Sequence, residues 1–271
     1  MTDAGRESAD GGNHEDIVRK EFARQAEVMA GAALFNDQTV LARIRDAARV
    51  TRDSRVLDVA CGPGIVVEAL APGAGEVVAC DITPEMLEQT RRRCRAAGLA
   101  NVRCIPGCAE DLPFEDSAFD AVVTRSALHH FPDPARALRE MSRVLRPGGR
   151  VVIVDVMASE DAEQAALHNA LETLRDPSHV RMVSKSELER WLAEAGFAVE
   201  SLLGWTNHRE FGEWLKITNA PERVRPLQTV MTELARRGAR AGINLRLEEG
   251  KLRFEHNPVL VAAVKRGKAA P

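Results

Sequence analysis

Asp58, Gly62, Gly64 and Asp81 are the residues whose types and spacing point first to chemistry. Asp58 lies in a short apolar run, Val56-Leu57-Asp58-Val59, and the turn formers Cys61-Gly62-Pro63-Gly64 follow it. From Ile65 the apolar residues Ile65, Val66, Ala69 and Leu70 recur at helical spacing. A strand, a Gly-rich turn and a helix in that order bring helix N-terminal amides to a ligand at the strand's C-terminal edge. Glycine lets the backbone approach that ligand. A phosphate loop would read GxxxxGK[ST], and no Lys or Arg lies between Val56 and Leu70. A dinucleotide fingerprint fails at its third glycine, which is Val67 here. Asp58 would repel a pyrophosphate and attract a cation. Asp81 ends the next apolar strand, 23 residues after Asp58, where a carboxylate can accept from ribose hydroxyls. The set suits an amine- and sulfonium-bearing nucleoside ligand.

The elements that must position these residues alternate strand and helix. Predicted strands are Val56 to Val59, Glu76 to Cys80, Asn101 to Ile105, Phe119 to Thr124 and Arg150 to Val156, all rich in apolar residues. Between them, Thr83-Pro84 opens a helix with Met86, Leu87, Thr90 and Cys94 inward, and Asp133-Pro134 opens another with Leu138, Met141, Val144 and Leu145 inward. Arg91, Arg92, Arg93 and Arg95 read as a solvated helix face. Apolar strands alternating with helices mean a parallel sheet covered on both faces, a doubly wound α/β fold. Two further helices, Glu15 to Gly31 and Asp37 to Val50, precede the first strand and are expected to cover the sheet's ligand edge.

The order DVACGPG, Asp81, AEDLPF, FDAVV, ALHHFPDP, VLRPGG and VVIVD, from about residue 17 to 200, resembles the class I S-adenosylmethionine (SAM) methyltransferases. The branch is similar to the ubiquinone/menaquinone C-methyltransferases and small-molecule methyltransferases. The resemblance implies a Rossmann-like seven-stranded sheet with its last strand antiparallel, the extra strands being Phe197 to Leu203 and Pro258 to Val264. It implies SAM as cofactor, held by Asp58, Ala60, Gly62, Gly64, Asp81, Ile82, Met86, Ala109, Glu110 and Arg125, with Ile82 and Met86 flanking adenine. Family members usually carry Asp where this chain has Cys108, and a thiol accepts poorly from the adenine amino group. Restoring that Asp is therefore expected to tighten cofactor binding.

Composition narrows the rest. A net charge of −3 over 271 residues argues against a nucleic-acid footprint, and no apolar run reaches the roughly 20 residues of a membrane span. The five cysteines fall in predicted core elements or turns and read as reduced thiols in a cytoplasmic protein. Cys104 and Cys108 have no nearby His, so no zinc site and no other metal is expected. Without a single Tyr, a Tyr general base is excluded. Residues 1–14 read as a disordered tail. The remainder, 15–271, reads as one methyltransferase domain with helical lid segments 15–50, 157–183 and 205–247. Between Thr206 and Arg246 eight Arg/Lys face four Asp/Glu, read as a solvated helix face.

The expected reaction is methyl transfer from SAM to an O, C or S nucleophile of a small-molecule acceptor, with a homodimer left open. The alternatives are a SAM-fold enzyme that uses the cofactor without transferring methyl, and a non-catalytic SAM-binding partner subunit. The acceptor side is assigned to histidines. His129 follows the fourth strand at the ligand edge, and His179 lies in the turn Asp176-Pro177-Ser178-His179, where the resemblance adds weight to a His. Either imidazole can take a proton near neutrality or orient an acceptor oxygen. Phe22, Gln25, His130, His208 and Trp214 are the candidate acceptor contacts.

Overall fold

The structure, a computed structural model, describes residues 9–267. Helix α1 (Ala9–Gly31) and helix α2 (Gln38–Ala48) come first. α1 begins six residues ahead of the expected Glu15, within the stretch read as a tail, and residues 1–8 of that tail lie outside the described residues. The alternating core follows as β1 (Arg55–Val59), α3 (Ile65–Leu70), β2 (Glu76–Asp81), α4 (Pro84–Ala96), β3 (Val102–Pro106), β4 (Phe119–Arg125), α5 (Pro134–Val144) and β5 (Leu145–Val156). Then come α6 (Ala162–Arg175), α7 (Lys185–Glu194) and β6 (Phe197–Gly204). An insertion of β7 (Asn207–Glu210), α8 (Phe211–Lys216), α9 (Pro221–Arg236), β8 (Arg246–Glu248) and β9 (Lys251–His256) precedes the last strand, β10 (Pro258–Lys265).

Seven strands form one sheet in the order β3-β2-β1-β4-β5-β10-β6. β10 runs antiparallel to both of its neighbours, and the pairs among β1 to β5 are parallel. The doubly wound fold and its antiparallel last strand are as expected. Successive strand residues face opposite sides, so each strand feeds two cores. Leu57, Val78, Val122 and Ile153 pack with Leu138, Met141, Leu188 and Leu192 on one face. Val56, Val77, Val123 and Val154 pack with Ile44, Val66, Leu70 and Leu87 on the other. These strands are buried on both sides, which is why their sequences are apolar throughout.

The segment expected as a helical lid over 205–247 is different in kind. It runs to His256 and contains a three-stranded antiparallel sheet, order β7-β9-β8, with α8 and α9 packed on it. β9 alternates Leu252, Phe254 and His256 inward with Lys251, Arg253 and Glu255 outward, a period of two over six residues. Glu249 and Gly250 both hold positive φ between β8 and β9, as a tight hairpin turn requires. On α9, Leu227 and Met231 are buried as the periodicity predicts, while Val224 is exposed.

Candidate active site

β1, β2 and β4 end on one side of the sheet, and their C-terminal ends open into a cavity of about 270 Å³. Asp58 reaches it from the strand interior and is almost fully buried, and its Oδ2 has no hydrogen-bond partner among the described residues. Burial, reinforced by the Asp81 carboxylate, pushes the Asp58 carboxyl well above the usual carboxylate range, against the pull of Arg125. Asp81 accepts from Gly62 N and Thr83 N, both at 2.8 Å, and so holds the Gly-rich turn in shape. Burial raises its pKa as well, and those N–H donors pull it back.

The two glycines of the turn have separate reasons. Both hold positive φ, +54° at Gly62 and +79° at Gly64. A Cβ on Gly62 would meet open space, whereas one on Gly64 would lie 2.8 Å from the Thr90 side chain of α4. Gly64 is therefore a packing glycine and does not line the cavity. Met86 is also displaced from its expected place: it faces the interior from α4, is 1% exposed and is absent from the cavity wall. Ala60, Ile82, Ala109, Glu110 and Arg125 line the cavity together with Asp58, Gly62 and Asp81. Cys108 also lines it, and its thiol donates to Glu110 Oε2 at 3.0 Å. Burial, with Glu110 beside it, pushes that thiol up to about 12.

The cover comes from α1, whose Val18, Phe22 and Met29 face the cavity. Two arginines dock it. Arg93 donates from Nη2 to Ala30 O at 2.7 Å and from Nε to Pro63 O at 3.0 Å, and pairs with Glu68 at 2.7 Å. Arg93 thus leaves the solvated face predicted for it, while Arg91, Arg92 and Arg95 do cluster on exposed Glu88. Arg223 of α9 pairs with Glu21 of α1 at 2.8 Å. Arg125 donates to Phe35 O at 2.8 Å, tying the α1–α2 connection to the end of β4.

The histidines collect behind Phe22. Asp155, at the end of β5, accepts from Leu128 N at 2.8 Å and Val156 N at 2.7 Å, and lies 2.6 Å from His129 Nδ1. Burial lowers the His129 pKa, but the Asp155 carboxylate outweighs it and the net shift is upward. His130 Nδ1 lies 2.9 Å from Ser178 O, an acceptor only, so Nδ1 carries the proton and Nε2 is the accepting atom. Burial, then the neighbouring His129, pull the His130 pKa down to about 4. His179 Nε2 lies 2.8 Å from Asn169 Oδ1, and burial with His129 pulls its pKa down to about 3. His129 and His179 rings sit 5.6 Å apart, and Phe22 meets His130 edge-on at 4.8 Å.

Of these three, His130 lines the cavity and the favoured His129 and His179 do not. Gln25 is 2% exposed and donates to Asp176 Oδ2 at 2.9 Å, so it fastens α1 to the turn that carries His179. His208 is exposed on β7, and Trp214 is buried in the insertion's own core against Phe254. Both lie off the cavity wall. His14 lines the cavity and bonds His130 O at 3.1 Å, a contact between residues 116 apart that no local pattern reveals.

A family profile described as a methyltransferase domain matches residues 57–153, the span from β1 to β5. The uncharacterised methyltransferase YcgJ of Bacillus subtilis is 35% identical over 200 residues, covering 74% of this chain and 79% of YcgJ. The crystal structure of YcgJ matches with a TM-score of 0.79 and 32% identity, covering 85% of this chain and 99% of that one. The demethylmenaquinone methyltransferase of Clavibacter sepedonicus is 33% identical over 181 residues, 67% of this chain and 71% of that enzyme. This chain belongs to the class I SAM-dependent methyltransferases; it is a methyl-transferring enzyme with SAM as its cofactor. Among the described residues no helix is long and apolar enough to cross a membrane.

Proposed function

We propose that the chain methylates a small-molecule acceptor through an O, C or S nucleophile, inside the cavity beneath α1. The observation that carries this reading is the cover: Val18, Phe22 and Met29 close an apolar wall over the β1–β4 edge, where a polymer would need an open groove. Segment 15–50 acts as the lid of one methyltransferase domain, and segments 157–183 and 205–256 back it from outside the cavity through Gln25–Asp176 and Arg223–Glu21.

Bound SAM supplies an electrophilic methyl group on a sulfonium. The residues fit such a cofactor, because the orphaned Oδ2 of Asp58 offers a buried acceptor that a cationic ligand would help to ionise, and the open side of Gly62 leaves room for close approach. In this reading Asp58 and Arg125 set the charge of the site, and the Ala60–Gly62 backbone receives the amino-acid end. Asp81 accepts from the ribose, Ile82 flanks the adenine, and Ala109–Glu110 meet its edge. Alignment and exclusion of water are the protein's main contribution.

His130 takes the acceptor-facing role first given to His129. A neutral imidazole held by Ser178 O presents Nε2 as a fixed acceptor for an O–H or S–H. It also receives the proton as the nucleophile becomes acidic on methylation. His129, paired with Asp155, positions its neighbour. The test is incubation with labelled SAM and quinols, phenols, thiols and carboxylic acids, following S-adenosylhomocysteine and label together. Label in a small acceptor is expected, and His130→Ala should lower kcat by about 10²-fold with little change in SAM affinity. Label appearing only in protein or nucleic acid would defeat the small-molecule reading.

A further inference from the structure

We propose that His168, Glu172 and His256 form a binding site for one zinc-type divalent ion, set between α6 and the insertion sheet, apart from the cavity. His168 and Glu172 stand one turn apart on α6 and so share a face. His256 ends β9 on the inward side of that strand, after Leu252 and Phe254. The three side chains are at least nine-tenths buried. A ligand atom from each can be chosen so that all lie within 4.8 Å of one another.

The spacing suits coordination better than hydrogen bonding. His256 Nε2 lies 3.1 Å and His168 Nε2 3.6 Å from Glu172 Oε1. Zn–N and Zn–O bonds of about 2.0–2.1 Å in a tetrahedron place neighbouring ligand atoms about 3.3 Å apart. Neither contact has hydrogen-bond geometry: Glu172 Oε1, His256 Nε2 and both ring nitrogens of His168 are buried without a hydrogen-bond partner. Three of these, Glu172 Oε1, His168 Nε2 and His256 Nε2, converge in the buried space between α6 and β9 and ask for an occupant.

The surroundings prepare the ligands. Arg175 donates from Nη1 to Glu172 Oε2 at 3.0 Å, which leaves Oε1 as the carboxylate's free oxygen. Arg175 is itself held over the Trp214 ring at 4.9 Å. Arg175 adds positive charge beside the site, so the fourth position suits hydroxide or another anion rather than a neutral donor. The ion would join α6 to the insertion sheet. The next residue of α6, Asn169, holds His179 and Met182 N through its Oδ1 at 2.8 and 2.7 Å, so the clamp sits directly behind the 176–179 turn.

The rival is a carboxylate resting between two imidazoles with no ion. Metal-stripped full-length protein titrated with Co²⁺ separates the two. One equivalent should bind with the visible d–d bands of a low-coordinate site, Zn²⁺ should displace it, and Zn²⁺ should raise the Tm. His256→Gln and Glu172→Gln should each weaken Co²⁺ binding at least tenfold, while exposed His208→Gln leaves it intact. SAM binding by each variant serves as the check that it is folded. Absence of the bands and of the Tm rise in the unmodified protein overturns the site. Bands that survive the triad substitutions do so as well.

Discussion

The edge proposed to hold the cofactor and the side proposed to face the acceptor both bury carboxylates, but they treat them in opposite ways. At the ends of β1 and β2, Asp58 and Asp81 are desolvated with their pKa values raised, and Asp58 Oδ2 has no partner. Behind the cover, Asp155 and Asp176 are lowered despite burial, because His129 and His130 stand beside them; Asp176 reaches about 2. Raised carboxyls are left electrostatically incomplete, and in the proposed reading a ligand that brings positive charge and hydroxyl donors completes them. Lowered ones are complete within the chain and serve to hold loops and imidazoles in place.

The most forceful way to break the cofactor edge is through its turn. Gly64→Ala combines a left-handed φ with a 2.8 Å approach to Thr90, so both terms oppose it. A loss of about 2–5 kcal/mol of stability is expected from αL strain plus overpacking. Gly62→Ala has the φ term alone and should cost about 1–2 kcal/mol, and it should weaken SAM binding as its methyl enters the cavity wall. Urea unfolding and calorimetry of the two variants measure this, and equal losses would show that Thr90 yields to the new methyl.

Titration separates the two regions next. Asp58 is raised in the folded chain, so ionising it costs stability as pH climbs above its unfolded value of 3.8. A cationic ligand offsets that cost only once the carboxyl is ionised. SAM affinity should therefore rise with pH across the acid range, by up to about tenfold per pH unit while one proton is released. His130 and His179 are lowered to about 4 and 3, so the unfolded chain takes up protons below 6.5 that the fold refuses. Their stabilisation is present above 6.5 and is lost as pH falls towards those values. His179→Asn should flatten this acid-side loss by up to about 1.4 kcal/mol per pH unit and leave the pH dependence of SAM affinity in place. Acid-range unfolding curves of both proteins, with and without SAM, decide it.

The same division explains what could be read from the chain in advance. The cofactor edge is made of strand–turn–helix units in which Asp58, Gly62 and Asp81 owe their places to local pattern. The acceptor side is closed by contacts between distant residues, such as Gln25 with Asp176 and Arg223 with Glu21, 151 and 202 positions apart. No periodicity encodes these. Between adjacent His129 and His130 the choice turned on Asp155, a β5 residue that captures His129 and leaves His130 at the cavity. The small sheet is another matter. The alternation of Leu252, Phe254 and His256 and the Glu249-Gly250 turn were present in the sequence, and the helical periodicity of α9 masked them.

Loosening the cover tests whether the two regions work apart. Gln25→Leu removes the donor to Asp176 Oδ2 and leaves a buried acceptor short of a bond, while Ser178 still holds the other oxygen. A stability loss of about 1–3 kcal/mol is expected. The acceptor KM should rise more than the SAM Kd, because the bond joins α1 to the histidine turn and not to the Gly-rich turn. Equal changes in both constants would mean that α1 moves as one body over both.

The smallest effect is expected at Cys108, and there the structure reverses an expectation drawn from the family pattern. An Asp in its place would offer adenine a charged acceptor and, taken alone, tighten SAM binding. The thiol, however, donates to Glu110 Oε2 at 3.0 Å, and a carboxylate in that position would face a second carboxylate instead. Like charges at that distance disfavour joint ionisation, so one acid would stay protonated or one side chain would swing away. The gain and the repulsion oppose each other, and Cys108→Asp should change SAM affinity by less than about 1 kcal/mol. Adding Glu110→Gln removes the repulsion, so the double variant should bind SAM more tightly than Glu110→Gln alone. Calorimetry at neutral pH checks both steps. A tenfold tightening by Cys108→Asp alone would show that Glu110 leaves the thiol when the cofactor binds, and that the cofactor edge is less rigid than its backbone contacts suggest.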